Sequence, residues 1–312
     1  MLNNSKFKLL LLAVAWFLFL PTGQVSANSL ALSDIEAKLE ESTVNIFCQF
    51  KFGNTKMTAS GSGVLVSERG IVLTNAHVAM FFLLAEAPDG ELPGDCEVRA
   101  GSPASEAYQA KLLYISSSWL VDNVAELAEE EPRGSGEGDF ALIYLVDKDG
   151  KAISDKLPFL PPSFVSDVSE EYPIFIAGYP TGSLSSKSIR NNLKQVVVQS
   201  SVTNIQSFGV YGSEDRLTLA PSEAGSGGSS GGPVVDLGGK LVAVVSTKVS
   251  SESDTSLRAI TLPYIDRQVH NQLSISFEQL LANNLVARAL VTNYLLPKDI
   301  VESITKALLK RM

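Results

Sequence analysis

The sequence has little of what metalloproteins and nucleic-acid-binding proteins require. Only two histidines and two cysteines occur in 312 residues. That excludes most zinc architectures, which usually draw four ligands from those residue types. Basic residues are outnumbered, 25 Lys and Arg against 34 Asp and Glu, for a net charge of −9. Nucleic acid is therefore excluded as a partner, because phosphate binding needs clustered cations that release counterions. No internal repeat or biased segment is present, and 19% charged with 45% hydrophobic residues describes an ordinary globular protein. The length suits one large or two modest domains.

Residues 1–27 read as an export signal. Lys6 and Lys8 precede the apolar run Leu9–Leu20, then Pro21 and Gly23 break the helix and Val25-Ser26-Ala27 offers a small-residue cleavage site. The run has 12 residues, short of the roughly 20 that a bilayer-spanning helix needs. No stable membrane span is expected once the signal is removed. Cleavage after Ala27 removes two lysines and no acids, taking the net charge from −9 to −11. Export leads to an oxidising compartment in which Cys48 and Cys96 either pair or remain two buried thiols.

Short β-branched and apolar runs dominate from about residue 43 to 263. The first six are Val44–Phe50, Ser60–Val66, Ile71–Thr74, Glu97–Ala100, Tyr108–Ile115 and Asp139–Val146. A second six follow: Tyr172–Ala177, Gln195–Gln206, Arg216–Ala220, Pro233–Asp236, Leu241–Thr247 and Ala259–Leu262. Turn residues bound each run, and no helices alternate with them. The expected fold class is all-β, two six-stranded antiparallel barrels over residues 28–150 and 151–272. Met80–Gly94 reads as a short helix and loop, and Ser116–Gly138 as a surface insertion with an acidic helical patch at Ala125–Glu131. Residues 273–312 are expected to form a helical extension, opened by a Ser276/Gln279 capping box and carrying an apolar stripe at Leu280, Leu281, Leu285 and Leu290.

Three segments carry chemistry. Thr74-Asn75-Ala76-His77-Val78 places a histidine just past the second strand of a hairpin. Gly138-Asp139-Phe140-Ala141-Leu142 opens an apolar strand with a carboxylate, which needs a donor such as an imidazole N–H if buried. In Gly228-Ser229-Ser230-Gly231-Gly232-Pro233, consecutive glycines let backbone N–H groups turn inward as an anion-binding nest beside a hydroxyl. Together these are the parts of an acyl-transfer site. Ser230 would be the nucleophile, His77 its base, Asp139 the group that orients the imidazole, and the N–H groups of Gly228 and Ser230 the oxyanion hole. His270, in Tyr264–Leu273, reads as an ordinary surface or packing residue. No metal or cofactor is called for.

These three motifs, in the order His, Asp, Ser, resemble those of trypsin-like serine peptidases, the bacterial HtrA (Deg) branch being closest. Ile174-Phe175-Ile176-Ala177-Gly178-Tyr179-Pro180 also resembles a strand of that branch. The resemblance spans roughly residues 40–270 and implies a chymotrypsin-like fold and polypeptide substrates. It places the strands of Cys48 and Cys96 side by side, which favours a disulfide, and it leaves room for a homo-oligomer. It also tilts the exported protein toward the periplasm rather than the extracellular space. HtrA proteins usually append a PDZ domain, whereas only about 40 residues follow the peptidase-like region here, so PDZ-type peptide sensing is not implied. Ser229 stands where the family commonly has Asn or Asp, so activation by an inserted N-terminus is not expected.

By the same resemblance, the primary specificity pocket is walled by the segment containing Ala224 and Gly225 and by Ser246, Thr247 and Lys248. Ala224, six residues before Ser230, replaces the acid of trypsin, so cleavage after Arg or Lys is not expected. A small or medium apolar side chain fits, unless Lys248 narrows the pocket or selects an acidic one. Two other readings compete. Gly228-x-Ser230-x-Gly232 also fits the nucleophile elbow of α/β-hydrolases, but that motif leads into a helix, whereas Pro233-Val234-Val235 reads as a strand. The second is a catalytically silent peptidase-like protein that binds peptides or partner proteins.

Overall fold

Each of the twelve apolar runs forms a strand. A computed structural model describes residues 30–52, 55–85, 94–123, 136–165, 168–209, 213–248, 256–282, 302–303 and 306. The signal segment, the acidic patch Ala125–Glu131, and the stripe positions Leu285 and Leu290 lie outside the described residues. In the first half β1 (Thr43–Phe52), β2 (Thr55–Ser67), β3 (Ile71–Thr74), β4 (Gly94–Ala100), β5 (Glu106–Ile115) and β6 (Ala141–Val146) close a barrel in the order β1-β2-β3-β6-β5-β4. The second half repeats that topology. Here β7 (Pro173–Gly178), β8 (Val196–Gln206), β9 (Arg216–Leu219), β10 (Pro233–Val235), β11 (Leu241–Lys248) and β12 (Leu257–Thr261) close as β7-β8-β9-β12-β11-β10. Every pairing between named strands is antiparallel. Full closure removes the exposed edges that open sheets must otherwise protect.

Continuous apolar runs, rather than alternating ones, are required where both faces of a strand are covered. Strand β6 shows why. Ala141, Ile143 and Leu145 point into the core of the first barrel with Val44, Val72 and Leu112. Between them Leu142, Tyr144 and Val146 point into a second core shared with Phe175, Val235 and Leu241 of the other barrel. The two barrels are thus joined by buried apolar surface.

Helices seal this junction. Helix α1 (Leu32–Ser42) contributes Ile35 and Leu39 to the shared core; it falls outside the strand pattern read from the sequence. Two more helices, α2 (Ala76–Ala85) and α3 (Ser117–Asn123), belong to the first barrel's connections. Helix α4 (Ser186–Asn192) is pinned to that barrel by the buried Arg99, whose guanidinium donates to the carbonyls of Ile189 and Arg190 and to Asn45 Oδ1. Helix α5 (Leu262–Leu273) is capped by Thr261, with Pro263 in its first turn. It buries Leu262, Ile265 and Val269 from one face. Its Arg267 pairs with the buried Asp215, whose other oxygen accepts from Phe208 N–H at 2.6 Å and Ser213 Oγ at 2.8 Å. Helix α6 (Phe277–Ala282) forms the expected capping box: Gln279 N–H donates to Ser276 Oγ at 3.1 Å, and Ser276 N–H to Gln279 Oε1 at 2.9 Å. Phe277 and Leu280 bury this start of the extension in the shared core.

Cys48 and Cys96 stand directly opposite each other on β1 and β4 and form a disulfide, with Cα atoms 4.1 Å apart. The bond joins residues 48 apart in sequence, so its main effect is on the unfolded chain, worth about 2–4 kcal/mol. A Cys48→Ala/Cys96→Ala protein is expected to unfold at lower urea, with stability reduced by that amount. An unchanged midpoint would show that the bond contributes nothing.

Candidate active site

His77 is the second residue of α2. Its position follows from the turn that ends β3: the carbonyl of Asn75 accepts from Val78 N–H at 3.2 Å and from Ala79 N–H at 2.9 Å, starting the helix. The early N–H groups of a helix lack partners inside it. Here the His77 N–H donates to Asp139 Oδ1 at 3.0 Å. Asp139 therefore caps this helix from a different part of the chain, with its negative charge at the positive end of the helix dipole.

The same carboxylate holds the imidazole. His77 Nδ1 lies 2.8 Å from Asp139 Oδ2, so the ring donates through Nδ1 and presents Nε2 elsewhere. Asp139 is only 2% exposed, while the His77 side chain is 26% exposed. Burial of the imidazole opposes its charged form, but the charge of Asp139 and the hydrogen bond to it prevail, raising the His77 pKa above 6.5. A third donor, Ser246 Oγ, reaches Asp139 Oδ2 at 2.9 Å.

Three further contacts fix the loop carrying Asp139. Asn75 Nδ2 donates to its carbonyl at 2.8 Å. Asp139 N–H donates to Gly136 O at 3.2 Å. The next peptide back, Gly138 N–H, donates at 2.9 Å to the hydroxyl of Tyr264 on α5. Burial pushes the Tyr264 phenol pKa well up, so it remains a neutral hydroxyl.

Ser230 approaches from the second barrel, in the tight loop before β10. Gly228 has φ +95° and Gly231 φ +87°, both in the left-handed region. A side chain has no room at either: a Cβ at 228 would lie 2.5 Å from Tyr179 O, and one at 231 would lie 2.1 Å from Ser62 O. Ser230 Oγ donates to the carbonyl of Ser246 at 3.0 Å. Ser246 thus touches both Ser230 and Asp139. Among the described residues there is no hydrogen bond between His77 and Ser230; such contacts are often long or absent until substrate binds. The N–H groups of Gly228 and Ser230 have no acceptor among the described residues.

The sequence named Ser246 for its place beside a pocket and missed its contact with Asp139. No spacing in the chain signals it, because 107 residues separate the pair. Tyr264 was missed for the same reason. Ala224 is fully buried in the core of the second barrel with Ile174 and Val202. Gly225 continues from it, with its N–H donating to Ser222 O at 2.9 Å. Thr247 and Lys248 lie in β11, but their side chains are outside what is described. His270 is exposed on α5. Among the described residues no cluster of His, Cys, Asp and Glu could hold a metal ion, and no helix is long and apolar enough to cross a membrane.

Residues 61–244 match the family model of the trypsin-like peptidase domain. The match covers more than half of the chain and includes His77, Asp139 and Ser230. A search of curated proteins finds no significant match.

Proposed function

We propose that this chain, which belongs to the trypsin-like peptidase domain family, is an exported serine endopeptidase of the HtrA type. The observation that carries the reading is the double hold of Asp139 on His77, through ring and backbone, with Ser230 joined to the same group by Ser246.

In the reaction His77, neutral and with Nε2 free, accepts the Ser230 proton as Oγ bonds to the substrate carbonyl carbon. Asp139 holds the ring in the tautomer that makes Nε2 basic, and stabilises the imidazolium that forms. The carbonyl oxygen becomes an oxyanion facing the N–H groups of Gly228 and Ser230, each worth about 3–4 kcal/mol to the transition state. His77 then protonates the amine as the C–N bond breaks, leaving an acyl-enzyme on Ser230. Water, deprotonated by His77, attacks the ester carbonyl. The imidazolium passes that proton to Ser230 Oγ as the bond from Oγ to the acyl carbon breaks and the acid product leaves.

Before attack, the Ser230 hydroxyl must turn from the Ser246 carbonyl to His77. That contact is the one observation favouring the alternative, a catalytically silent protein that binds peptides or partners. The Cys48–Cys96 bond agrees with an oxidising compartment, and the HtrA-like character favours the periplasm. Polypeptides are the substrates, and Ala224, standing where trypsin has an acid, favours a small or medium apolar side chain before the scissile bond over Arg or Lys.

Digestion of a random peptide library by the mature protein tests the reading. Cleavage after small or medium apolar residues, abolished by a serine-directed inhibitor, is expected. Cleavage dominated by Arg or Lys would overturn the specificity assignment, and absence of cleavage by folded protein would favour the silent alternative.

A further inference from the structure

Ser62, in β2 of the first barrel, is fully buried and spends all of its hydrogen-bonding groups at the junction with Ser230. Its N–H donates to the carbonyl of Ser230 at 2.7 Å. Its hydroxyl donates to the carbonyl of Gly228 at 2.7 Å and accepts from Tyr179 N–H at 2.9 Å. Its own carbonyl accepts from Thr74 Oγ1 at 2.7 Å, at the end of β3 and three residues before His77. Ser62 therefore joins the end of β3, through its own carbonyl, to the loop that carries Ser230, through its N–H and its hydroxyl.

We propose that Ser62 is a positioning residue for the reaction, setting the backbone of Gly228–Ser230 and through it the two N–H groups that receive the oxyanion. The inference rests on the peptidase reading above.

A trans peptide directs its N–H opposite to its C=O, so a pinned carbonyl fixes the following amide. Four successive carbonyls are pinned here. That of Gly227 accepts from Thr181 N–H at 2.6 Å and Thr181 Oγ1 at 2.7 Å. That of Gly228 accepts from Ser62 Oγ. Ser229 O accepts from Gly232 N–H at 2.9 Å, and Ser230 O from Ser62 N–H. The carbonyls of 227 and 229 orient the amides of Gly228 and Ser230, and Ser62 fixes the peptide between them. Among the described residues, Ser62 supplies the only first-barrel hydrogen bonds in this set. The Gly228 carbonyl, at a glycine with φ +95°, accepts from Ser62 Oγ at 2.7 Å, and the N–H of the same peptide, that of Ser229, donates to Ser226 O at 3.3 Å. Removing the hydroxyl therefore takes away the shorter of the two anchors of this peptide.

The Ser62→Ala protein tests this beside an active wild type. The expected result is a kcat lowered by about 10²-fold, the scale of a misplaced catalytic geometry, with KM unchanged. Affinity for a peptidyl boronic acid, whose tetrahedral adduct places an oxygen at the oxyanion position, falls in parallel with kcat, while affinity for a product peptide stays. The pH inflection of kcat/KM also stays, because His77 and Asp139 keep their contacts. Unchanged kcat, or equal weakening of boronate and product binding, would overturn the inference. If Ser62→Ala does not fold, Ser62→Thr and Ser62→Val form an isosteric pair differing in the hydroxyl. A kcat advantage for Thr supports the inference, and equal activity overturns it. A wild type with neither turnover nor a boronate adduct would overturn the peptidase reading and this inference with it. Full turnover by Ser62→Ala beside an active wild type would overturn this inference alone.

Discussion

Replacing Ser230 by alanine is expected to abolish peptide hydrolysis, lowering kcat by about 10⁶-fold, with the fold intact. Without the hydroxyl no acyl-enzyme can form, and His77 and Asp139 have nothing to activate. What survives is the contribution of the oxyanion donors and substrate binding, about 10³–10⁴-fold over water. The structural cost is small. The hydroxyl makes one hydrogen bond, to Ser246 O, and losing it costs about 1 kcal/mol. Tm should therefore shift by only a few degrees, KM or product affinity should be nearly unchanged, and the Cys48–Cys96 bond should still form. Steady-state kinetics and a thermal melt on one preparation check both halves. Retained hydrolysis would remove Ser230 from the mechanism.

Substituting Asp139 by asparagine is expected to lower kcat by about 10⁴-fold and to move the pH profile. The carboxylate accepts from His77 Nδ1, His77 N–H and Ser246 Oγ. Asparagine offers one acceptor oxygen, and its amide nitrogen, placed at Nδ1, would donate and force the proton onto Nε2. That tautomer cannot take a proton from Ser230. The sign of the pH effect follows from the competing influences on the imidazole. In the wild type the aspartate outweighs burial and raises the His77 pKa above 6.5, so kcat/KM rises with pH through an inflection above that value. In Asp139→Asn burial acts without the opposing charge, and the inflection of the residual activity moves below 6.5. The same linkage carries a stability effect. Wild-type His77 binds its proton more tightly when folded, so its contribution to stability is complete below pH 6.5 and disappears as pH rises through the folded pKa. An acid limb at the same pH in both proteins would contradict the assignment of Asp139.

Local features were legible in the sequence, and contacts between distant segments were not. Strand runs such as Ile71–Thr74 coincide with the observed element because turn residues set their ends. The Ser276/Gln279 capping box is a local signature four residues long, and it forms as read. Helix α1 was missed because only two of its apolar residues, Ile35 and Leu39, enter the core, and it is held by tertiary packing on both barrels. The disulfide needed the barrel to place β1 against β4, since no spacing rule pairs Cys48 with Cys96. The candidates His77, Asp139 and Ser230 were each picked out by their flanking residues. Their supports did not: Ser62 reads as one serine in a strand, and it is its 166-residue reach to Gly228 that gives it a place in the site. Tyr264 likewise lies in the first turn of α5, and its hydroxyl holds the peptide before Asp139.

The central claim is that His77, oriented by Asp139, activates Ser230. Labelling by a fluorophosphonate, followed by intact mass and site mapping, tests it most directly. The serine oxygen displaces fluoride from phosphorus only if a base removes its proton, so the label reports the nucleophile and its activation together. One phosphonyl group per wild-type molecule, on Ser230, is predicted, at a rate that rises with pH through the His77 inflection and collapses in His77→Ala. Folded wild-type protein that takes no label, or takes it on another residue, or takes it equally well without His77, would contradict the account.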